Sequence, residues 1–61
     1  MRLKELRIQK GITQNAVAEM IGYSVESYAR YEKGKREPDI KTLWKLADYF
    51  GVTVDYLIGR A

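Results

Sequence analysis

The sequence predicts an all-α fold, a compact bundle of five short helices. Three observations carry this. Apolar residues recur at helical spacing, and no stretch alternates with period two, so no strand is expected. Glycines at 11, 22, 34, 51 and 59 punctuate the chain, and each of the first four follows a helical apolar pattern. That is where a residue just past a helix C-terminus belongs. Four residues with a short side-chain oxygen, Thr13, Ser24, Asp39 and Thr53, stand immediately ahead of helical segments. Such a side chain accepts from the free N–H groups of a first turn.

The first helix is expected over residues 2–10, closed by Gly11. Thr13 opens the second, 14–21, whose apolar stripe is Val17, Ala18 and Ile21. Ser24 opens the third, 25–33, with Tyr28 and Tyr31 on its inner face and Glu32 one turn after Tyr28. Asp39 opens the fourth, 40–50, with Pro38 just ahead of it, where a missing N–H does no harm. Its apolar face is Ile40, Leu43, Ala47 and Phe50, widened by Trp44 and Leu46. For Trp44 and Tyr56, core or core-edge packing is the first expectation and an exposed patch for a dimer partner the second. Thr53 opens the fifth, 54–58. Hydrophobic staples are expected between Ile12 and Val17, Tyr23 and Tyr28, and Val52 and Leu57. These faces, with Leu3, Leu6, Ile12, Leu57 and Ile58, make the expected core. Only Gly22-Tyr23-Ser24 joins the second helix to the third, which is the helix-turn-helix layout.

Sixty-one residues make one domain, expected over 1–61. There is no cysteine and no histidine. A disulfide framework and a thiolate metal site are therefore excluded, and the commonest metal ligand and general base are missing. No cofactor and no metal is expected, and an enzyme is the least supported class: no phosphate-cradling glycine loop and no carboxylate cluster is present. Nothing approaches the ~18 consecutive apolar residues of a membrane span. Charges scattered through Met1-Arg2-Leu3-Lys4-Glu5 do not fit a signal peptide, so a cytoplasmic protein without a membrane partner is the default expectation. The net charge is +3, unevenly spread. Residues 1–36 hold eight Lys/Arg against four Glu, whereas residues 37–61 hold three against four acidic groups. The basic excess lies where a nucleic-acid face would have to be.

The outer face of the third helix holds Val25, Glu26, Ala29, Arg30 and Lys33. It offers a branched methyl group, a carboxylate, a small residue and a guanidinium. These can touch a thymine methyl, accept from cytosine N4, allow close approach and fork onto guanine O6 and N7. A solvated helix face carries the same residue types, so the pattern alone leaves both readings open. Arg7 shares a stripe with Leu3, and Glu32 shares one with Tyr28. Opposite charges on two inward faces are expected to pair, because either alone would be costly to bury.

The chain resembles the Cro/C1-type helix-turn-helix regulators of phages and bacteria from Arg2 to Arg60. The resemblance rests on Leu3-Lys4-Glu5-Leu6-Arg7, Lys10-Gly11-Ile12-Thr13-Gln14, Ala18-Glu19-Met20-Ile21-Gly22, the run Arg30 to Pro38, Leu46-Ala47-Asp48-Tyr49-Phe50-Gly51-Val52 and Asp55 to Arg60. It implies a five-helix bundle of the phage-repressor DNA-binding type, with the third helix in the major groove of a double-stranded DNA operator. It implies base reading by Val25, Glu26 and Arg30. Backbone contacts would come from Thr13, Gln14, Tyr23, Ser24, Ser27, Lys33, Lys35 and Arg36. It makes the Arg7–Glu32 pair a structural feature. It also implies a homodimer, with Val54, Tyr56, Leu57 and Ile58 as the contact, on half-sites about one helical turn apart. Family members often present Arg, Gln, Ser or Thr where this chain has Val25 and Glu26, and Tyr28 is bulkier than the usual branched aliphatic residue. The function so implied is sequence-specific regulation of transcription, as a repressor. A protein-interaction module that keeps the fold without binding DNA is the alternative, favoured by Glu26 and the acidic last third.

Overall fold

The computed structural model describes residues 1–60. Five helices follow one another: α1 Leu3–Lys10, α2 Gln14–Ile21, α3 Val25–Glu32, α4 Ile40–Phe50 and α5 Val54–Ile58. No strand occurs among the described residues. Four of the helices begin as their caps dictate. Thr13, Ser24, Asp39 and Thr53 all have extended backbones, and their side-chain oxygens accept from the N–H groups of Ala16, Ser27, Thr42 and Tyr56. The first helix has no such cap and starts at Leu3, one residue later than expected. Its start is held from elsewhere: the Arg2 N–H donates to the Leu57 carbonyl at 2.8 Å, tying the N-terminus to α5.

All five helices end in one motif. The residue two past the turn of helix donates back across it, as in Ile12 N–H to Arg7 O and Tyr23 N–H to Ala18 O. This paired arrangement satisfies carbonyls that a helix end would leave free. Gly22, at φ 77°, is the residue that lets the chain reverse within the three-residue turn between α2 and α3. The third helix differs slightly from expectation. It ends at Glu32, and Lys33 remains right-handed before Gly34 turns at φ 74°.

Leu3, Leu6, Val17, Ala18, Ile21, Tyr28, Tyr31, Leu46, Ala47, Phe50 and Leu57 form the core. Ile12, Leu43 and Val52 pack against it in part. Tyr23, expected to staple to Tyr28, sets its ring 6.1 Å from that of Tyr31. Two residues assigned to the core are outside it. Ile40 is 62% exposed and Trp44 57% exposed. The buried sector of α4 runs through Thr42, Leu46, Ala47 and Phe50, and at about 100° per residue Ile40 and Trp44 fall beyond its edge. Ile58 is half-buried. Pro38 is buried, unlike its exposed neighbours in the 33–39 connection.

Candidate nucleic-acid interface

The α3 helix is fixed at both ends. At its start, Ser24 Oγ accepts from the Ser27 N–H at 3.2 Å and donates to Ser27 Oγ at 3.0 Å. At its end, Glu32 is held by α1 and α2 together. Arg7 Nε donates to Glu32 Oε2 at 2.6 Å, and Gln14 Nε2 donates to Glu32 Oε1 at 3.0 Å. Arg7 also donates to the Ile12 carbonyl at 3.0 Å, which fixes the α1–α2 connection. The expected Arg7–Glu32 pair is thus present, with side chains 14% and 3% exposed. Burial alone would push the Glu32 carboxyl up. The hydrogen bonds from Arg7 and Gln14, with the adjacent Tyr28 phenol, outweigh it and hold the carboxyl below its usual range. The Arg7 guanidinium is held above its usual range, chiefly by its hydrogen bond to Glu32. Tyr28 is fully buried beside this pair. Burial first, and the close approach of the Glu32 carboxylate second, push its phenol up and keep it neutral. Its hydroxyl is close enough to feel both charges but makes no hydrogen bond of good geometry.

With Tyr28 and Tyr31 turned inward, the opposite side of α3 faces out. Glu26 and Arg30 are exposed, Ala29 is half-buried, and Val25 is half-buried with one side against the core. Glu26 and Arg30 stand one turn apart, yet they form no ion pair with each other. Both charges are free to meet a partner outside the chain. Lys33, Lys35 and Arg36 are exposed just beyond the helix. Tyr23, Ser24, Ser27, Tyr31 and Arg36 line a shallow concavity of about 280 Å³ beside the α3 start. The fold thereby gathers four of the residues singled out from sequence for backbone contact. Lys33 and Lys35 lie outside that concavity. Thr13 is exposed at the α2 start, and Gln14 is half-buried with its amide spent on Glu32.

A model of the helix-turn-helix family matches residues 3–57. The chain belongs to the helix-turn-helix family. It is 46% identical over 57 residues to the SPbeta prophage-derived HTH-type transcriptional regulator YonR of Bacillus subtilis, covering 93% of this chain and 53% of that protein. It is 41% identical over 59 residues to the regulator ImmR of the same organism, covering 97% and 46%. It is 35% identical over 57 residues to the cryptic phage CTXphi repressor RstR of Vibrio cholerae, covering 93% and 51%. A crystal structure of a transcriptional regulator from Listeria innocua superposes with a TM-score of 0.91 at 32% identity, over 97% of this chain and 55% of that one. The chain therefore spans about half the length of each of these relatives. In the terms of this family, α2 and α3 are the two helices of the motif and α3 is the second.

Two site features were not read from sequence. The Gln14–Glu32 hydrogen bond depends on where α2 crosses α3. Tyr23 Oη and Thr42 Oγ1, 3.0 Å apart, latch the turn of the motif to α4. A signal for the latch existed, since Thr42 is a polar residue on the apolar side of α4 and needs a partner there. The dimer residues need one correction. Leu57 is fully buried in the core and offers no surface. Tyr56 is 39% exposed, and the Arg2 guanidinium lies 4.6 Å from its ring centre. No helix is long and apolar enough to cross a membrane.

Proposed function

We propose that residues 1–61 are the DNA-binding domain of a transcriptional repressor that recognises a specific double-stranded operator with α3 in the major groove. The observation that carries this reading is the outward side of α3. Its two charged groups, Glu26 and Arg30, are exposed and have no ion-pair partner among the described residues, on a helix pinned by Ser24 at one end and by Arg7, Gln14 and Glu32 at the other. A fixed helix with free donors and acceptors suits base reading, because hydrogen bonds to base edges carry sequence information only when their geometry is set in advance. Val25, Glu26 and Arg30 are the base-reading residues in this account. Thr13, Tyr23, Ser24, Ser27, Lys33, Lys35 and Arg36 contact sugar and phosphate, and Gln14 does so only through the amide hydrogen that Glu32 does not take. The names of the relatives support regulation, and one of them is named a repressor.

Two copies would bind as a homodimer on a near-palindromic site. The protein in this reading is a cytoplasmic, non-enzymatic regulator that uses no cofactor. Selection of bound sequences from a random duplex pool tests it. A single enriched motif with dyad symmetry is expected, with affinity falling steeply as salt rises. An unenriched pool would overturn it. The second reading, an interaction module, is favoured by the free carboxylate of Glu26, which phosphates would repel. Glu26→Gln separates the two. In the DNA reading it changes the preferred base at one position, and in the other it leaves duplex binding absent.

A further inference from the structure

The outward side of α4 carries an apolar pair that the chain leaves uncovered. Ile40 and Trp44 stand one turn apart, 62% and 57% exposed. Lys41 and Asp48 are exposed on the same sector, and neither has an ion-pair partner among the described residues. Ile40, Trp44 and Asp48 follow one i, i+4 row, with Lys41 beside Trp44 at i, i+3. Along the axis Lys41 sits about 4.5 Å to one side of Trp44 and Asp48 about 6 Å to the other, at 1.5 Å per residue. The face therefore complements itself when reversed.

We propose that this face is the contact between two copies of the chain, with α4 antiparallel to the partner's α4 about a two-fold axis at Trp44. In an isologous contact each pairing occurs twice. Lys41 meets the partner's Asp48, Asp48 meets the partner's Lys41, and the two Trp44 rings close the centre. Lys45, about 100° round the helix from Trp44, stays clear of the centre. The charge pattern selects a second copy over another partner, since a lysine and an aspartate on opposite sides of one tryptophan match their own reverse. The α5 tip is the weaker candidate. Leu57 is buried, and Arg2 covers Tyr56, donating to its carbonyl at 2.9 Å and stacking on its ring. One eleven-residue helix makes a small interface, so the dimer is weak in solution and gains on a duplex that holds both copies side by side. The contact itself does not depend on the DNA reading.

Sedimentation of the 61-residue chain over a wide concentration range tests the proposal without DNA. Trp44 is the single tryptophan, so its emission reports directly on burial of the contact. A monomer–dimer equilibrium is expected, with emission moving to shorter wavelength as the dimer forms. Trp44→Glu should weaken the dimer by about 100-fold or more, as loss of a central tryptophan does. Lys41→Asp and Asp48→Lys should each weaken it about tenfold. The double change should restore it. Both charge changes suit the local helix dipole, so folding is kept. A monomer at every concentration overturns the proposal, as does a double change that fails to restore the dimer. Loss of the dimer in Tyr56→Ala with no effect of Trp44→Glu assigns the contact to α5 and overturns it. Weakened duplex binding by Trp44→Glu with an unchanged dimer assigns the face to DNA and overturns it equally.

Discussion

Glu32 on α3 accepts from Arg7 on α1 and from Gln14 on α2, so one carboxylate joins three helices. Removing one member of a buried pair leaves the other charge without compensation. Glu32→Ala should therefore cost about 2–3 kcal/mol in urea unfolding, somewhat below a fully buried pair because Arg7 keeps partial contact with water. The carboxyl is held below its ordinary value of 4.5, so its contribution is full above that pH and is lost as pH falls through the lowered folded-state value. The acid limb of a stability–pH curve should flatten in Glu32→Gln. With no histidine in the chain, stability should stay level between about pH 6 and 8. Tyr28→Phe should be neutral or stabilising by thermal melt, because the hydroxyl it removes is buried without a good hydrogen bond. A loss above about 1 kcal/mol would show that the hydroxyl bonds to Glu32 after all.

At the scale of the element, α3 is made by its ends. Ser24 gives the first turn an acceptor, and the same hydroxyl reaches Ser27 Oγ. Ser24→Ala should cost about 1 kcal/mol of stability. The turn before it depends on Gly22 at φ 77°, where an added Cβ would meet nothing within 4 Å. Gly22→Ala should therefore cost only the left-handed backbone penalty, about 1 kcal/mol, without a packing defect. A much larger loss in either variant, measured by urea unfolding, would mean that the turn carries more than its local geometry. In the reading of α3 as the groove helix, Arg30→Ala should relax preference at one base position. Lys35→Ala should weaken all sequences alike and lower the salt slope by ~1. Equal effects of the two on preference would remove Arg30 from base reading.

Across the whole molecule, the small core leaves little surplus, since a chain of this size buries only about 60% of the surface its unfolded state exposes. The body measures 27 × 23 × 18 Å and is closed by contacts between its ends: Arg2 N–H to Leu57 O, and Arg2 Nε to Tyr56 O. The free α3 side chains and the exposed Lys33, Lys35 and Arg36 lie on and just beyond α3, and the exposed Ile40–Trp44 pair lies on α4. In the two proposals, DNA reading and self-association thus use different residues. They should respond independently to substitution, with Arg30→Ala leaving sedimentation unchanged and Trp44→Glu leaving base preference unchanged.

The helices, their starts and their stops were legible because caps, glycines and apolar spacing act over a few residues. Thr13, Ser24, Asp39 and Thr53 cap the helices that follow them, as their positions alone required. The Arg7–Glu32 pair was legible too, because two charges on inward faces have few other ways to be satisfied. Tertiary structure decided what depends on how helices cross. It committed Gln14 to Glu32, latched Tyr23 to Thr42, buried Leu57 and left Ile40 and Trp44 outside. Helical periodicity says which residues share a side, but only the neighbouring elements determine how wide the covered sector is. That is why the sequence by itself determined the five helices and the inner and outer sides of α3, whereas the width of the buried face of α4 was set by packing.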